Sequence, residues 1–458
     1  MGVAFINLLE KTTNEKIMST ETTSTIPQPV AAADRIKSID TIRGVALLGI
    51  LLMNIPGFGI NWDYFESILY GAHNTADYYT EASVDVFFEG TMRGLFSMLF
   101  GAGMILFVQG KKELPGGPSI AEYYYRRLLW LVVFGMINAY VILWFGDILF
   151  YYGLCGMLLF VFRKTNPKWL LVLGLFCLAI MTFKNHWRWN ETRTKRKAYN
   201  EAIVLEKEKK PLTDKQQEAK EAWLNIEKNQ KVDTAQSNEN ERKMQGDYAT
   251  VFSYWIPMNA GNEAWGTYHW AIWDCLGMML VGMALFGWGF FSNRLSTSTY
   301  TMWLLVGYGL GIPIGILAFR EGIMVPHENF GNYVDTFSVQ HRALYDLRRV
   351  LLSVGHASLV MLIFRSRVVP WLMKALANVG QMAFTNYLMQ SIICTLFFYG
   401  YGFGYYNKLK FHQIYYVVFA VWIFQIIFSA IWLRYFRFGP FEWLWRSLTY
   451  WKKQPMKK

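Results

Sequence analysis

From residue 42 onward the chain repeats a single pattern, an apolar run followed by a short polar break. The runs are roughly 17 to 25 residues long, and a helix rising about 1.5 Å per residue needs about 20 residues to cross some 30 Å of hydrocarbon. Reading each run as a span gives about ten helices, at 42–59, 84–109, 128–144, 148–162, 169–183, 268–290, 300–319, 350–364, 377–399 and 414–433. The predicted fold class is all-α, a polytopic helical membrane protein of about ten transmembrane helices.

Two stretches depart from the pattern. Residues 1–33 are rich in Thr, Ser and Glu with Pro27 and Pro29, too polar to bury a core, and are expected to be a disordered tail. No cleavable signal peptide is expected, and Met18 is a second candidate start. The other departure is a polar insertion at 185–265, predicted to be an extracytoplasmic helical hairpin. Ala198, Tyr199, Ala202 and Ile203 form one apolar stripe, and Ala219, Ala222, Trp223 and Ile226 form another. Pro211 separates them, and Thr213 followed by Gln216 is a capping-box start. The remaining segments are a first membrane half of five spans (34–184), a second of five (266–434), and a basic tail (435–458).

Composition agrees with a membrane setting. Hydrophobic residues make up 53% and charged residues only 17%, against about a quarter charged in soluble proteins. Four cysteines, all in apolar runs, define no disulfide framework. The formal charge of +12 matters through its placement, because Lys and Arg in short loops stay in the cytoplasm. The 59–85 loop has five acids and no basic residue, so it is expected outside. Arg126 and Arg127, Arg163 and Lys164, and Arg365, Arg367 and Lys374 are expected inside. Both termini are then expected to be cytoplasmic, in a multi-pass membrane protein. Arg342, Arg348 and Arg349, on the outer side before the eighth span, run against this assignment.

Ionisable residues within spans are costly, roughly 2.5 to 3.5 kcal/mol on insertion scales, so each one asks for an explanation. Asp40, Arg43 and Asn54 share one stripe of the first span, with Asp40 and Arg43 placed to pair. Asp85, Glu89 and Arg93, spaced by four, are expected on one face of the second span, as an ion pair or a polar cavity wall. Asp274 lies one turn deeper than His269 in the sixth span. In the seventh, Gly307, Gly311 and Gly315 predict close helix packing, with a break at Pro313. Asn386 and Gln390 in the ninth belong to a group of amides that line a path or knit helices together. His73, in the acidic outer loop, is a candidate proton shuttle. No metal-site spacing, dinucleotide fingerprint or nucleic-acid motif is present, so neither a metal nor a nucleic-acid partner is expected.

The strings SIDTIRGVALLGILLMNI, FEGTMRGLFSMLFGAG, GDILFYYGLCG, LGMMLVGMAL, TNYLMQS and FGPFEWLWRSLTY together resemble the YeiB-type integral membrane proteins, a bacterial family of unknown function. The opening D-T-I-R-G is also similar to the start of the heparan-α-glucosaminide N-acetyltransferase family and of broader membrane acyltransferases. That resemblance implies an acyl group taken from a cytosolic donor such as acyl-CoA and delivered to a small-molecule or glycan acceptor outside. It implies a His beyond the first span, where His73 stands. Many YeiB-type relatives carry a His shortly before G-D-I-L, where this chain has Asn138.

Two functions follow from the same polar residues. A transmembrane acyltransferase would use His73, Glu89 and Asp274 as catalytic groups, with Asp40, Arg43, Asn54, Arg93, Asn386 and Gln390 holding donor and substrate. It would need no permanently bound cofactor, only the acyl donor. A transporter of a small polar molecule would use the same residues as a binding site within the bilayer.

Overall fold

The computed structural model describes residues 36–61, 74–109, 118–231, 233–323, 330–337 and 341–458. The expected N-terminal tail and His73 lie outside them. In chain order the helices are α1 (Lys37–Gly59), α2 (Ala76–Phe88), α3 (Thr91–Gln109), α4 (Ile120–Tyr140), α5 (Leu149–Leu159) and α6 (Pro167–Lys207). The insertion adds α7 (Asp214–Gln230), α8 (Thr234–Met244) and α9 (Tyr248–Gly261), which runs through a π-helical segment (Asn262–Ala271) into α10 (Ile272–Gly287). Then come α11 (Thr297–Ile323), α12 (Phe330–Thr336), α13 (Tyr345–Ser366), α14 (Pro370–Gln381), α15 (Ala383–Phe398), α16 (Phe411–Tyr435) and α17 (Pro440–Tyr450).

Every apolar run of the sequence falls on a helix or a helix pair, and among the described residues seven helical stretches are long and apolar enough to cross a membrane. The α5 and α15 regions are shorter apolar helices packed among them. The bundle is an all-α membrane fold with a layered interior. In α1 78% of the apolar window is buried inside the protein, against 17% in α6, so α1 is central and α6 peripheral. Peripheral helices expose continuous apolar stripes, such as Leu305, Leu310 and Leu317 on α11 and Phe419, Ile423 and Ile427 on α16. Such stripes would be unfavourable in water and suit lipid.

Close backbone approach sets the centre. Gly44 of α1 lies against the Leu376 carbonyl of α14, and a Cβ on Gly380 would overlap the Asp40 carbonyl. Gly307 and Gly311 of α11 pack on α13, and Gly315 packs on Val86 of α2, the packing use expected for such a stripe. The break expected at Pro313 does not occur, and α11 continues through it. Within a bundle, neighbouring groups and small local adjustments absorb the missing N–H.

The insertion is helical as expected, but it is not separated from the membrane part. Helix α6 is a single 41-residue helix that continues out of the bundle. The Thr213–Gln216 capping box forms at the start of α7. Trp223 of α7, Trp189 of α6, and Tyr333 and Val334 of α12 make a small core of their own. Arg196 joins it through an ion pair with Asp335 at 2.8 Å.

Candidate functional site

The second span is broken where its charges lie. Helix α2 ends at Phe88, Gly90 takes a left-handed φ of +67°, and α3 starts at Thr91. Only glycine takes that conformation freely, and a Cβ there would also collide with the Tyr345 hydroxyl and Arg349 Cδ. The break overturns the reading of Asp85, Glu89 and Arg93 as one face of one helix. Arg93 turns instead to Asp274 of α10, with Nη1 to Oδ2 at 2.7 Å. Glu89 accepts the Tyr345 hydroxyl at 3.3 Å.

Helix α13 supplies what the sequence reading left unexplained. Arg349 is fully buried and pairs with Asp274 and, at 3.1 Å, with Asp346. Arg348, also buried, lies 3.6 Å from Asp85. These two arginines therefore carry no information about loop orientation, because their charges are neutralised within the protein. The Arg342 side chain lies outside the described residues. The centre thus joins four carboxylates (Asp85, Glu89, Asp274, Asp346) to three guanidinium groups (Arg93, Arg348, Arg349) across α2, α3, α10 and α13. Arg93 keeps 27% of its side chain exposed, with its guanidinium 5.4 Å from the Trp270 ring centroid, so the centre is open on that side.

The neighbouring shell is ordered by hydroxyls. Ser97 and Tyr152 share a hydrogen bond at 2.6 Å, and Tyr152 donates to the Arg93 carbonyl at 3.2 Å. Ser353 donates to the Thr91 carbonyl at 2.9 Å, tying α13 to the first turn of α3. His356 bridges the Tyr308 hydroxyl at 2.6 Å and the Phe87 carbonyl at 2.8 Å, which makes it a clamp on the end of α2.

The remaining predicted residues fall in two other places. Asp40 and Arg43 pair at 2.8 Å at the start of α1. Arg127 of α4 is within electrostatic reach of Arg43. Its guanidinium stacks 4.3 Å from the Trp445 ring of α17, and it has no carboxylate partner among the described residues. Beside it Arg126 pairs with Glu122 and lies 4.8 Å from the Trp451 ring. Between this basic end and the charged centre the interior is filled by Ile42, Ala46, Leu95, Met98 and Leu99, all buried. Asn54 sits half-buried further along α1.

Asn386 and Gln390 knit helices. Asn386 donates to Ser429 at 3.0 Å, Gln390 donates to Gln425 at 3.0 Å, and Gln425 donates to the Asn386 carbonyl at 2.7 Å. A related device explains why two of the most distinctive strings occur together. The chain kinks at Met382 between α14 and α15. Glu442 of GPFEWLWR accepts the Phe384 and Thr385 N–H groups at 2.7 and 3.0 Å, and the Thr385 hydroxyl at 2.5 Å. A buried carboxylate thus caps the helix that carries TNYLMQS.

No cluster of three or more His, Cys, Asp or Glu that could hold a metal ion occurs among the described residues. A family model described as a protein of unknown function (DUF418) matches residues 285–452. The chain is 31% identical over 429 residues to the uncharacterized protein YeiB of Escherichia coli (strain K12), covering 91% of this chain and 96% of that protein. It is 29% identical over 456 residues to the uncharacterized protein YxaH of Bacillus subtilis (strain 168), covering 94% and 98% respectively. No solved structure matches.

Proposed function

From membership of the YeiB-type family of integral membrane proteins, to which this chain belongs, we propose that it is an acyltransferase-like enzyme moving an acyl group from a cytosolic donor to an extracytoplasmic acceptor. The observation that carries the reading is the basic end of the bundle. Among the described residues Asp40 pairs with Arg43 and Glu122 with Arg126, while Arg127 lies against the Trp445 ring with no described carboxylate paired to it. A guanidinium held against an aromatic ring can present paired N–H donors to phosphate, the group an acyl-CoA would offer. Asp40 fixes Arg43 through their ion pair at 2.8 Å.

At the charged centre, Glu89 is the carboxylate suited to accept a proton from an incoming hydroxyl or amine. Asp274 and Asp346 are committed to arginines, whereas Glu89 holds only the Tyr345 hydroxyl in a hydrogen bond. The packed layer of Leu95 and Met98 must part for an acyl group to reach it, and the break at Gly90 gives α3 a place to pivot.

Purified protein given a labelled acyl-CoA is expected to transfer or hydrolyse the acyl group. Arg127→Ala should raise KM for the donor with little change in kcat, and Glu89→Gln should lower kcat. Unchanged kinetics in both variants would remove the assignment. A second reading, a carrier for a small charged solute, is favoured by the interrupted second span with its intramembrane charges, a feature of transporter sites. Solute flux in proteoliposomes without covalent change would select it.

A further inference from the structure

A second polar site lies away from the basic end and is used by neither reading. The connection between α4 and α5 carries Asp147, which is buried. Its Oδ1 accepts from Asn138 Nδ2 at 2.8 Å and from the Tyr387 hydroxyl at 3.4 Å, and its Oδ2 accepts the Phe150 N–H at 2.9 Å. Across a small crevice, with room for about one water-sized group, stands Glu263, the second residue of the π-helical segment, with Asn259 beside it. Phe145, Phe150 and Tyr151 form the apolar wall.

Two acceptor atoms of the residues lining the crevice lack donors. Glu263 Oε2 is taken by the Tyr140 hydroxyl at 2.9 Å, but its Oε1 is buried with no hydrogen-bond partner. Asn259 is 2% exposed, and its amide orientation is fixed because Nδ2 donates to the Ala139 carbonyl at 2.6 Å. Asn259 lines the crevice, and its Oδ1 is buried without a hydrogen-bond partner. Neither Asp147 nor Glu263 has an ion-pair partner among the described residues, in contrast with the arginine-balanced centre around Asp274. Two uncompensated carboxylates and an orphaned amide oxygen would each cost free energy if left so, and a cation bearing N–H donors satisfies them together.

Size narrows the choice. Room for one water-sized group excludes a trimethylammonium head, and no cluster of three or more His, Cys, Asp or Glu that could hold a metal ion occurs among the described residues. We propose that this crevice binds a primary ammonium group, carried either by a small soluble amine or by a lipid headgroup. Its three N–H bonds match Glu263 Oε1, Asn259 Oδ1 and the Asp147 carboxylate, while the carbon next to nitrogen meets the aromatic wall.

The test uses the full chain without any acyl donor, so its outcome is separate from the question of acyl transfer. In phosphatidylcholine nanodiscs, ethanolamine is expected to raise the melting temperature of the wild type, choline to do nothing at the same concentration, and Glu263→Gln to weaken the ethanolamine effect at least tenfold. In mixed-lipid micelles, native mass spectrometry should show phosphatidylethanolamine retained over phosphatidylcholine, and the preference lost in Glu263→Gln. A shift with ethanolamine alone identifies the soluble source, and retention of the lipid alone identifies the headgroup. The proposal is overturned if neither probe binds, if choline equals ethanolamine, or if Glu263→Gln keeps both effects. Should that variant fail to fold, Tyr140→Phe decides. Freeing Glu263 Oε2 should strengthen ethanolamine binding, and an unchanged or weaker response counts against the site.

Discussion

Replacing Arg349 by Met is expected to be among the most damaging single changes in the membrane part. The side chain is fully buried and pairs with Asp274, itself 5% exposed, and with Asp346. In the wild type four carboxylates face three guanidinium groups, so the centre is one negative charge from balance if all are ionised. Removing Arg349 leaves four against two, with Asp346 deprived of its arginine and Asp274 left to Arg93 alone. Breaking a buried pair by removing one partner costs about 3 to 5 kcal/mol, which is roughly a factor of 10² to 10⁴ in the folding equilibrium. Unfolding in mixed detergent and SDS, followed by tryptophan fluorescence, would measure this as a lower SDS midpoint. The companion variant Arg349→Met with Asp274→Leu restores the wild-type imbalance of one charge but leaves Arg93 and Asp346 without these partners, so it should recover part of the loss and no more. If Arg349→Met costs less than about 1 kcal/mol, or if the double variant is worse than the sum of its parts, the centre is not held by this ion pair and the argument fails.

Three further outcomes follow from the same packing. Gly90→Ala should lower the SDS midpoint by at least the roughly 1 to 2 kcal/mol that a left-handed residue costs, with more from the collision at Tyr345, while Gly103→Ala, which meets open space, serves as the control. Glu442→Gln removes a charge-assisted cap on α15 and should cost about 1.5 to 3 kcal/mol, read as faster hydrogen exchange in residues 383–387 than in α1. Trp223→Ala empties the small core of the insertion and should open α7 to protease by about 3 to 5 kcal/mol, with the melting of the membrane bundle unchanged.

The legible part of this protein is what its solvent dictates. Lipid forces every spanning segment to satisfy its own backbone, so hydropathy alone located the helices, including the short ones at α5 and α15. The capping box at Thr213 and the packing use of Gly307, Gly311 and Gly315 were local enough to read in the same way. What could not be read is where a continuous helix stops being one. Glu89 and Arg93 have the spacing of a helical pair, and nothing within four residues of them says that Gly90 will turn left-handed. That choice is made by Tyr345 and Arg349, more than 250 positions away, which occupy the space a side chain would need. The signal was nevertheless in the sequence. Arg348 and Arg349 violated the charge rule for loops, and a basic residue in the wrong place for topology is a basic residue whose partner lies inside. Asp85 and Asp274 were already singled out as carboxylates in need of explanation. Matching unexplained cations to unexplained anions across spans, rather than assigning each to its own helix face, assembles most of the centre from the sequence. The same reasoning applied to Asp147 and Glu263 finds no basic partner for either among the described residues, and that imbalance sets them apart from the arginine-balanced network around Asp274.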